Sequence, residues 1–293
     1  MSWNLTIDIG ERNYLLYLLL PHSLKMKFLS ADSRSKLEEI NRRSNLAIFS
    51  GEAASDYDEL HRYGGVEQHD FPMRELLEGR WVGRGYGRAI EFGAGSGYAT
   101  ALIARHSRSV VAVELVPDME QMIRDRCRRE GLDNVEVVGA SLFDPSVHGA
   151  LGVFDTAFVI QTLHHLHRRP EVFRLLHRRL RPGGRLLLQE PHHNLQRTIR
   201  LFRNWRSEYR DKEFWKNELN WATHDFVTRG EVRSLCRDAG FCDVHISGYW
   251  MPKFRRLLPS RHRRFIVESI VGRVPGLRHV AAVLAIEACR SGE

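Results

Sequence analysis

Ala89-Ile90-Glu91-Phe92-Gly93-Ala94-Gly95-Ser96-Gly97-Tyr98-Ala99-Thr100 is the stretch on which the fold turns. It begins apolar, places an acid, alternates three glycines with small residues and passes into a helix-forming run. The pattern predicts a strand, a tight turn and a helix. Glycines at 93, 95 and 97 remove side chains where the backbone must turn with positive φ and come close to a ligand. A helix starting near Gly97 aims its free N–H groups and positive dipole end at whatever lies over that turn.

Spacing separates the nucleotide-binding alternatives. A dinucleotide fingerprint, G-x-G-x-x-G, would put its third glycine at position 98, which is Tyr98. A P-loop needs a lysine after the glycines, and none follows here. The pattern present is E-x-G-x-G-x-G, which closely resembles motif I of the class I S-adenosylmethionine (SAM) dependent methyltransferases. The resemblance implies that Glu91 lies near the methionine part of SAM and that the glycines pass beneath it.

The 293 residues, 43% of them hydrophobic, suffice for one large α/β domain with added lid segments. A formal net charge of +8 favours acidic or phosphorylated partners, or an anionic membrane surface. Cys127, Cys236, Cys242 and Cys289 are scattered, without a C-x-x-C pair or zinc spacing, and read as reduced thiols of a cytoplasmic protein. The apolar run Tyr14–Leu20 is stopped by Pro21 and is shorter than the roughly 20 residues of a membrane span. Asp8 and Glu11 precede it where a signal peptide carries positive charge, so neither export nor a transmembrane helix is expected.

Residues 1–85 show mostly helical patterns and are read as an N-terminal cap. Within it, residues 55–63 resemble the tyrosine-bearing segment that many SAM methyltransferases fold over the cofactor; Tyr57 and Tyr63 are contact candidates, with packing favoured for each. From Arg88 strands and helices alternate, the mark of a parallel sheet covered on both faces. The second strand, Ser109–Glu114, ends in an acid about 20 residues past the first glycine, where a carboxylate can accept both ribose hydroxyls. Pro117 opens the next helix and Gly131 stops it. Asn134–Gly139 is strand three, Phe154–Ile160 strand four and Arg185–Glu190 strand five. Thr228-Arg229-Gly230-Glu231 is a capping box, and strands near Val244–Trp250 and Val280–Ile286 follow.

The segments 161–166 and 177–191 extend the resemblance, which covers about 86–190 well and 226–289 moderately, while 139–142 departs from it. It implies a Rossmann-like, seven-stranded, mostly parallel sheet with helices on both faces. The last strand would lie antiparallel at the sheet edge. The expected organisation is a helical cap at 1–85 and a SAM-binding domain at 86–293, with a helical lid inserted at 191–225. Cofactor contacts are expected from Glu91, Gly93, Ala94, Gly95, Gly97, Glu114, Leu115, Ser141, Leu142 and Gln161, with Ser141 standing where the family often has an acid.

Displacement of a sulfonium methyl needs mainly alignment, with a base only when the acceptor starts protonated. Imidazole titrates near neutrality, so His165, after strand four, and then His192, after strand five, are the candidate bases; His164 and His193 are their neighbours. No metal site is expected. Nucleic acid is a disfavoured partner, because the [DNS]-P-P-[YFW] motif of base-amino methyltransferases is absent after strand four. The lid's Phe202, Trp205, Tyr209, Phe214, Trp215 and Trp221 would select the acceptor or pack among themselves. Arg197, Arg200, Arg203, Arg206 and Arg210 read as one solvated helix face. The function implied is methyl transfer to an oxygen or nitrogen of a small molecule (a natural product, sugar or lipid-linked compound). The alternatives are a nucleic-acid methyltransferase and a non-catalytic partner subunit of the same fold. Peripheral membrane contact through the arginine-rich segment 253–276 is a further expectation, against which a helix covering the sheet is favoured.

Overall fold

Seven strands form one sheet: β1 (Gly87–Phe92), β2 (Ser107–Glu114), β3 (Val135–Gly139), β4 (Phe154–Ile160), β5 (Leu180–Pro191), β6 (Phe241–Tyr249) and β7 (Val283–Arg290). Their spatial order is β3-β2-β1-β4-β5-β7-β6. β1 through β5 pair in parallel, and β7 runs antiparallel to both β5 and β6. The structure, a computed structural model, describes residues 18–62, 67–144, 151–204 and 225–292. Tyr63, Trp205, Arg206, Tyr209, Arg210, Phe214, Trp215 and Trp221, and with them most of the expected lid, lie outside the described residues.

Strand alternation divides the core in two, because successive side chains point to opposite faces. Ile90, Val111, Val159, Leu188 and Ile286 join one cluster, under α7 (Arg169–Arg179) and α9 (Arg229–Asp238), which add Phe173, Leu176, Val232 and Cys236. Ala89, Val110, Phe158, Leu187 and Ala285 join the other, under α5 (Tyr98–Ala104) and α11 (Arg261–Val271), which add Leu102, Ile103 and Phe265. Burial on both faces explains why the strands read as nearly continuous apolar runs. α6 (Pro117–Glu130) has proline in its first turn and left-handed Gly131 at its end, as expected. The Thr228–Glu231 capping box is formed in both directions.

Two expectations change. β7 is not the sheet edge: it is inserted between β5 and β6, and β6, with Cys242 and Asp243 exposed, takes the edge. An apolar strand gains from pairing on both sides, whereas exposed polar residues suit an edge. β5 begins at Leu180, ahead of Pro182-Gly183-Gly184, with a register irregularity against β4 that absorbs the turn. Before the sheet the described chain is helical: α1 (His22–Phe28), α2 (Ala31–Ile48), α3 (Glu52–Arg62), α4 (Glu67–Glu75) and one wide turn at Leu76–Arg80.

α8 (Leu195–Asn204) follows β5, and α10 (Phe254–Leu257) precedes α11. In α8, Arg200 and Arg203 are exposed, but Arg197 is buried, donates to Leu18 O and stacks over Phe226 at 4.4 Å, so the arginines do not form a single solvated face. Beneath α1, Asp225 is fully buried and takes Lys25 Nζ and His22 Nδ1 at 2.5 Å each. The Arg169 guanidinium bonds the Asp225 carbonyl and pairs with Glu231 at 2.6 Å. Burial alone would raise the Asp225 pKa, but Lys25, His22 and Arg169 hold it well below the usual carboxylate range. Among the described residues no helix is long and apolar enough to cross a membrane, and the four cysteines are thiols.

Candidate active site

The turn after β1 has all three glycines at positive φ (67°, 56° and 78°). Each leaves room for something different. A Cβ at Gly93 would lie 2.2 Å from the Thr162 methyl, and Thr162 Oγ1 donates to Gly93 O at 2.9 Å, so the turn after β4 is latched to the glycine turn. A Cβ at Gly95 would meet only the Tyr57 ring, at 3.9 Å. One at Gly97 would press on Ile123 of α6 at 3.1 Å, making Gly97 a helix-packing position.

Because β1 and β2 are neighbours in parallel register, their terminal acids stand side by side. Glu91 is buried and accepts from Thr100 Oγ1 at 2.6 Å. Burial is the main cause that pushes its pKa up to about 8, with the Glu114 charge adding to it. Glu114 Oε2 accepts from Gly95 N at 2.7 Å, while its Oε1 accepts from Leu115 N and Val116 N at 2.8 and 3.0 Å. These bonds fix the carboxylate and brace the glycine turn. Burial nevertheless keeps the Glu114 pKa raised.

Above the turn lies a cavity of ≈ 510 Å³. Glu91, Gly93, Ala94, Gly95, Glu114, Leu115, Ser141, Leu142 and Gln161 all line it, and of the expected cofactor contacts Gly97 does not. Ser141 Oγ accepts from Phe143 N, turning the chain so that Leu142 and Phe143 also face the cavity. Gln161, with φ 53°, sits in a left-handed conformation that is uncommon for a residue with a side chain and accompanies functional sites. A floor without side chains, a fixed carboxylate at the neighbouring strand tip and apolar walls from Leu115, Val116, Met119, Leu142 and Phe143 suit a nucleoside: the carboxylate for hydroxyls, the walls for a flat ring. The residues therefore fit SAM.

His165 also lines the cavity, edge-on to Phe49 with ring centroids 5.6 Å apart. Its turn, Leu163–His165, is held by Glu190 at the end of β5. Glu190 accepts from Thr162 N (2.8 Å), Leu163 N (2.6 Å) and His164 Nδ1 (2.9 Å), and burial pushes its pKa up to about 7 against those bonds. His192 is not brought to the cavity: its Nδ1 is bonded to Ala281 O at 2.9 Å, it is buried, and desolvation pulls its pKa down to about 4. A ring so placed packs the end of β5.

Two contributions, from α2 and from Glu190, were not foreseen from sequence. α2 supplies the side of the cavity facing the sheet with Glu38, Asn41, Arg42 and Asn45, at helical spacing, and Phe49 follows the helix. Tyr57, a contact candidate from sequence with packing favoured, both packs, edge-on to Phe49 at 5.2 Å, and faces Gly95. Glu190 shows in sequence only as an acid at a strand tip, and what it holds is a tertiary fact. His22, His167 and Asp225 bring ligand atoms within 4.8 Å of one another, as a metal site would. Lys25 and Arg169 already neutralise that carboxylate and would repel a cation, so the cluster is a buried ion-pair network.

Comparisons with known proteins bear on this geometry. A family model described as a methyltransferase domain matches residues 54–246. The protein-L-isoaspartate O-methyltransferase of Nitrobacter winogradskyi is 35% identical over 116 residues, 40% of this chain and 50% of that protein. A Mycobacterium tuberculosis protein described as a probable S-adenosylmethionine-dependent methyltransferase is 28% identical over 212 residues, 71% of this chain and 68% of its own length. The chain spans about half the length of the isoaspartate methyltransferases first matched. An O-methyltransferase family protein from Burkholderia thailandensis shares the fold, with TM-score 0.55 over 99% of this chain and 76% of that one at 18% identity.

Proposed function

Because this chain belongs to the class I S-adenosylmethionine-dependent methyltransferases, we propose that it is an active enzyme that transfers a methyl group to an oxygen or nitrogen of a small-molecule acceptor. The observation carrying this reading is that one cavity joins the glycine turn and its two strand-tip acids to the turn bearing His165. When bound, SAM supplies an electrophilic methyl on a sulfonium, so the protein's task is alignment and exclusion of water.

In this reading Gly93 and Gly95 let the backbone approach the cofactor, Glu114 accepts its ribose hydroxyls, and Leu115, Ser141 and Leu142 border its base. Glu91 and Gln161 face its amino-acid end. His165 takes the proton from an acceptor hydroxyl or ammonium and is the proposed general base. Glu190 positions it by fixing the turn on which it stands. The polar α2 face, Asn41, Arg42 and Asn45, bounds the acceptor. Four thiols suit a reducing compartment, and we place the protein in the cytoplasm.

Titration calorimetry with SAM and with its demethylated product, followed by transfer of labelled methyl to a panel of hydroxyl- and amine-bearing small molecules, tests the proposal. Binding of both nucleosides together with methylation of a small molecule that falls at least 100-fold in His165→Ala is the expected result. Absence of nucleoside binding would make the chain a non-catalytic member of the fold. Binding together with methylation of RNA or a protein alone would overturn the small-molecule assignment.

A further inference from the structure

The connections after β5 and β6 leave the sheet at the edge on which the cavity lies. Pro191 of β5 and Tyr249 of β6 both pair with Val283, the first residue of β7, so the three ends meet in register. The cavity sits over the ends of β1, β2 and β4, which point the same way. Both connections therefore start from the end of the sheet on which the cavity lies.

They present an unusual surface. The three most exposed large apolar side chains among the described residues are Leu257 (70%), Ile270 (66%) and Phe202 (61%), all on these two connections. Ile266 is exposed one helical turn before Ile270, and Leu195 and Ile199 repeat the spacing on α8 ahead of Phe202. The opposite face of α11 is fixed to the body. Phe265 stacks on Tyr249 with centroids 5.2 Å apart, and Glu268 accepts from Trp250 N and Met251 N.

Charge follows the same division. Residues 195–204 and 250–282 contain eleven Lys and Arg and one acid, a net +10 in a chain whose total is +8; Arg197 and Arg264 are buried and the other nine are not. That one acid is the inward-turned Glu268. Exposed aliphatic side chains beside arginines gain from a layer that is apolar within and anionic at its surface. A phosphate backbone would reward the arginines and leave the leucine and isoleucines in water.

We propose that the segment 250–282 docks this protein peripherally on an anionic lipid bilayer, Leu257, Ile266 and Ile270 entering the headgroup layer and the exposed arginines meeting lipid phosphate. The contact uses no part of the cavity and does not depend on the methyl-transfer reading.

Sedimentation of the full chain with vesicles of phosphatidylcholine alone, and of phosphatidylcholine mixed with phosphatidylglycerol, tests this. Binding is expected only to the anionic vesicles and falls as salt rises. Leu257→Ser and Ile270→Ser each lower the partition coefficient roughly tenfold, and Arg256→Gln and Arg263→Gln roughly fivefold each. Thermal melts of all four variants should match the native chain, since none of these side chains is buried. The proposal is overturned by absence of binding to anionic vesicles, by equal binding to neutral ones, or by serine variants that bind like the native chain. Displacement of the vesicles by duplex DNA, with only the arginine variants impaired, would assign the surface to nucleic acid instead.

Discussion

Glu91→Gln is the sharpest test of the electrostatics at the glycine turn. In the unfolded chain this carboxyl loses its proton near 4.5, whereas in the fold, desolvated and beside Glu114, it does so at about 8. Between those values the unfolded state binds fewer protons than the native one, so native stability falls as pH rises. The slope for one such group is about 1.4 kcal/mol per pH unit, amounting to roughly 5 kcal/mol by pH 8 and flat beyond. Glutamine keeps an acceptor for Thr100 Oγ1 and cannot ionise. The comparison is therefore the difference between urea midpoints of the native chain and the glutamine variant across that range. That difference should move in the variant's favour by about 1 kcal/mol or more per unit between about pH 5 and pH 8, then level off. A second readout uses the cofactor: a cation admitted beside Glu91 favours the ionised form, so SAM binding near neutrality should release close to one proton, detected by calorimetry in buffers of different ionisation heat. A flat difference curve, or no proton release, would refute the claim that Glu91 is held protonated.

Other outcomes follow from the same geometry. Gly95→Val forces a branched side chain into a left-handed residue at φ 56° and toward Tyr57, and should abolish SAM binding measured by calorimetry while the circular dichroism spectrum keeps its native shape. Glu114→Ala should weaken SAM binding by roughly 1–3 kcal/mol, and somewhat more if the freed Gly95, Leu115 and Val116 amides let the turn relax. Asp225→Asn strands Lys25 and Arg169 in the interior and should cost about 3–5 kcal/mol in urea denaturation. Glu190→Ala frees the turn at 162–165, so kcat should fall at least tenfold with SAM affinity nearly unchanged, as expected for a residue that acts through His165.

What the sequence discloses is local. Glu91, the glycine turn and Glu114 are legible because a strand, a bend and a second strand tip are each written in a few consecutive residues, and parallel pairing then places them side by side. The capping box at Thr228 and the proline and glycine bounding α6 are legible for the same reason. His192 misleads because proximity to a strand end in sequence does not say which side of that end a ring occupies; here Ala281 O claims it. The position of β7 between β5 and β6 and the role of α2 depend on contacts between residues far apart in sequence, on which hydrophobic period is silent. The same holds for Glu190, whose partners stand nearly thirty positions earlier. Arg197 belongs with these: its spacing is that of a solvent-facing row, and only Phe226 and the Leu18 carbonyl show that it turns inward.

The insertion of β7 has a consequence for synthesis. Among the described residues β6 pairs with β7 alone, and β5 reaches β6 only through it. During synthesis Phe241–Tyr249 emerges before the strand it pairs with, Val283–Arg290. Until β7 arrives β5 keeps one bare flank and β6 two, so the nascent chain waits in an adhesive state with unpaired strand edges. Deleting Val283–Arg290 would strand β6 and open the interior of the sheet.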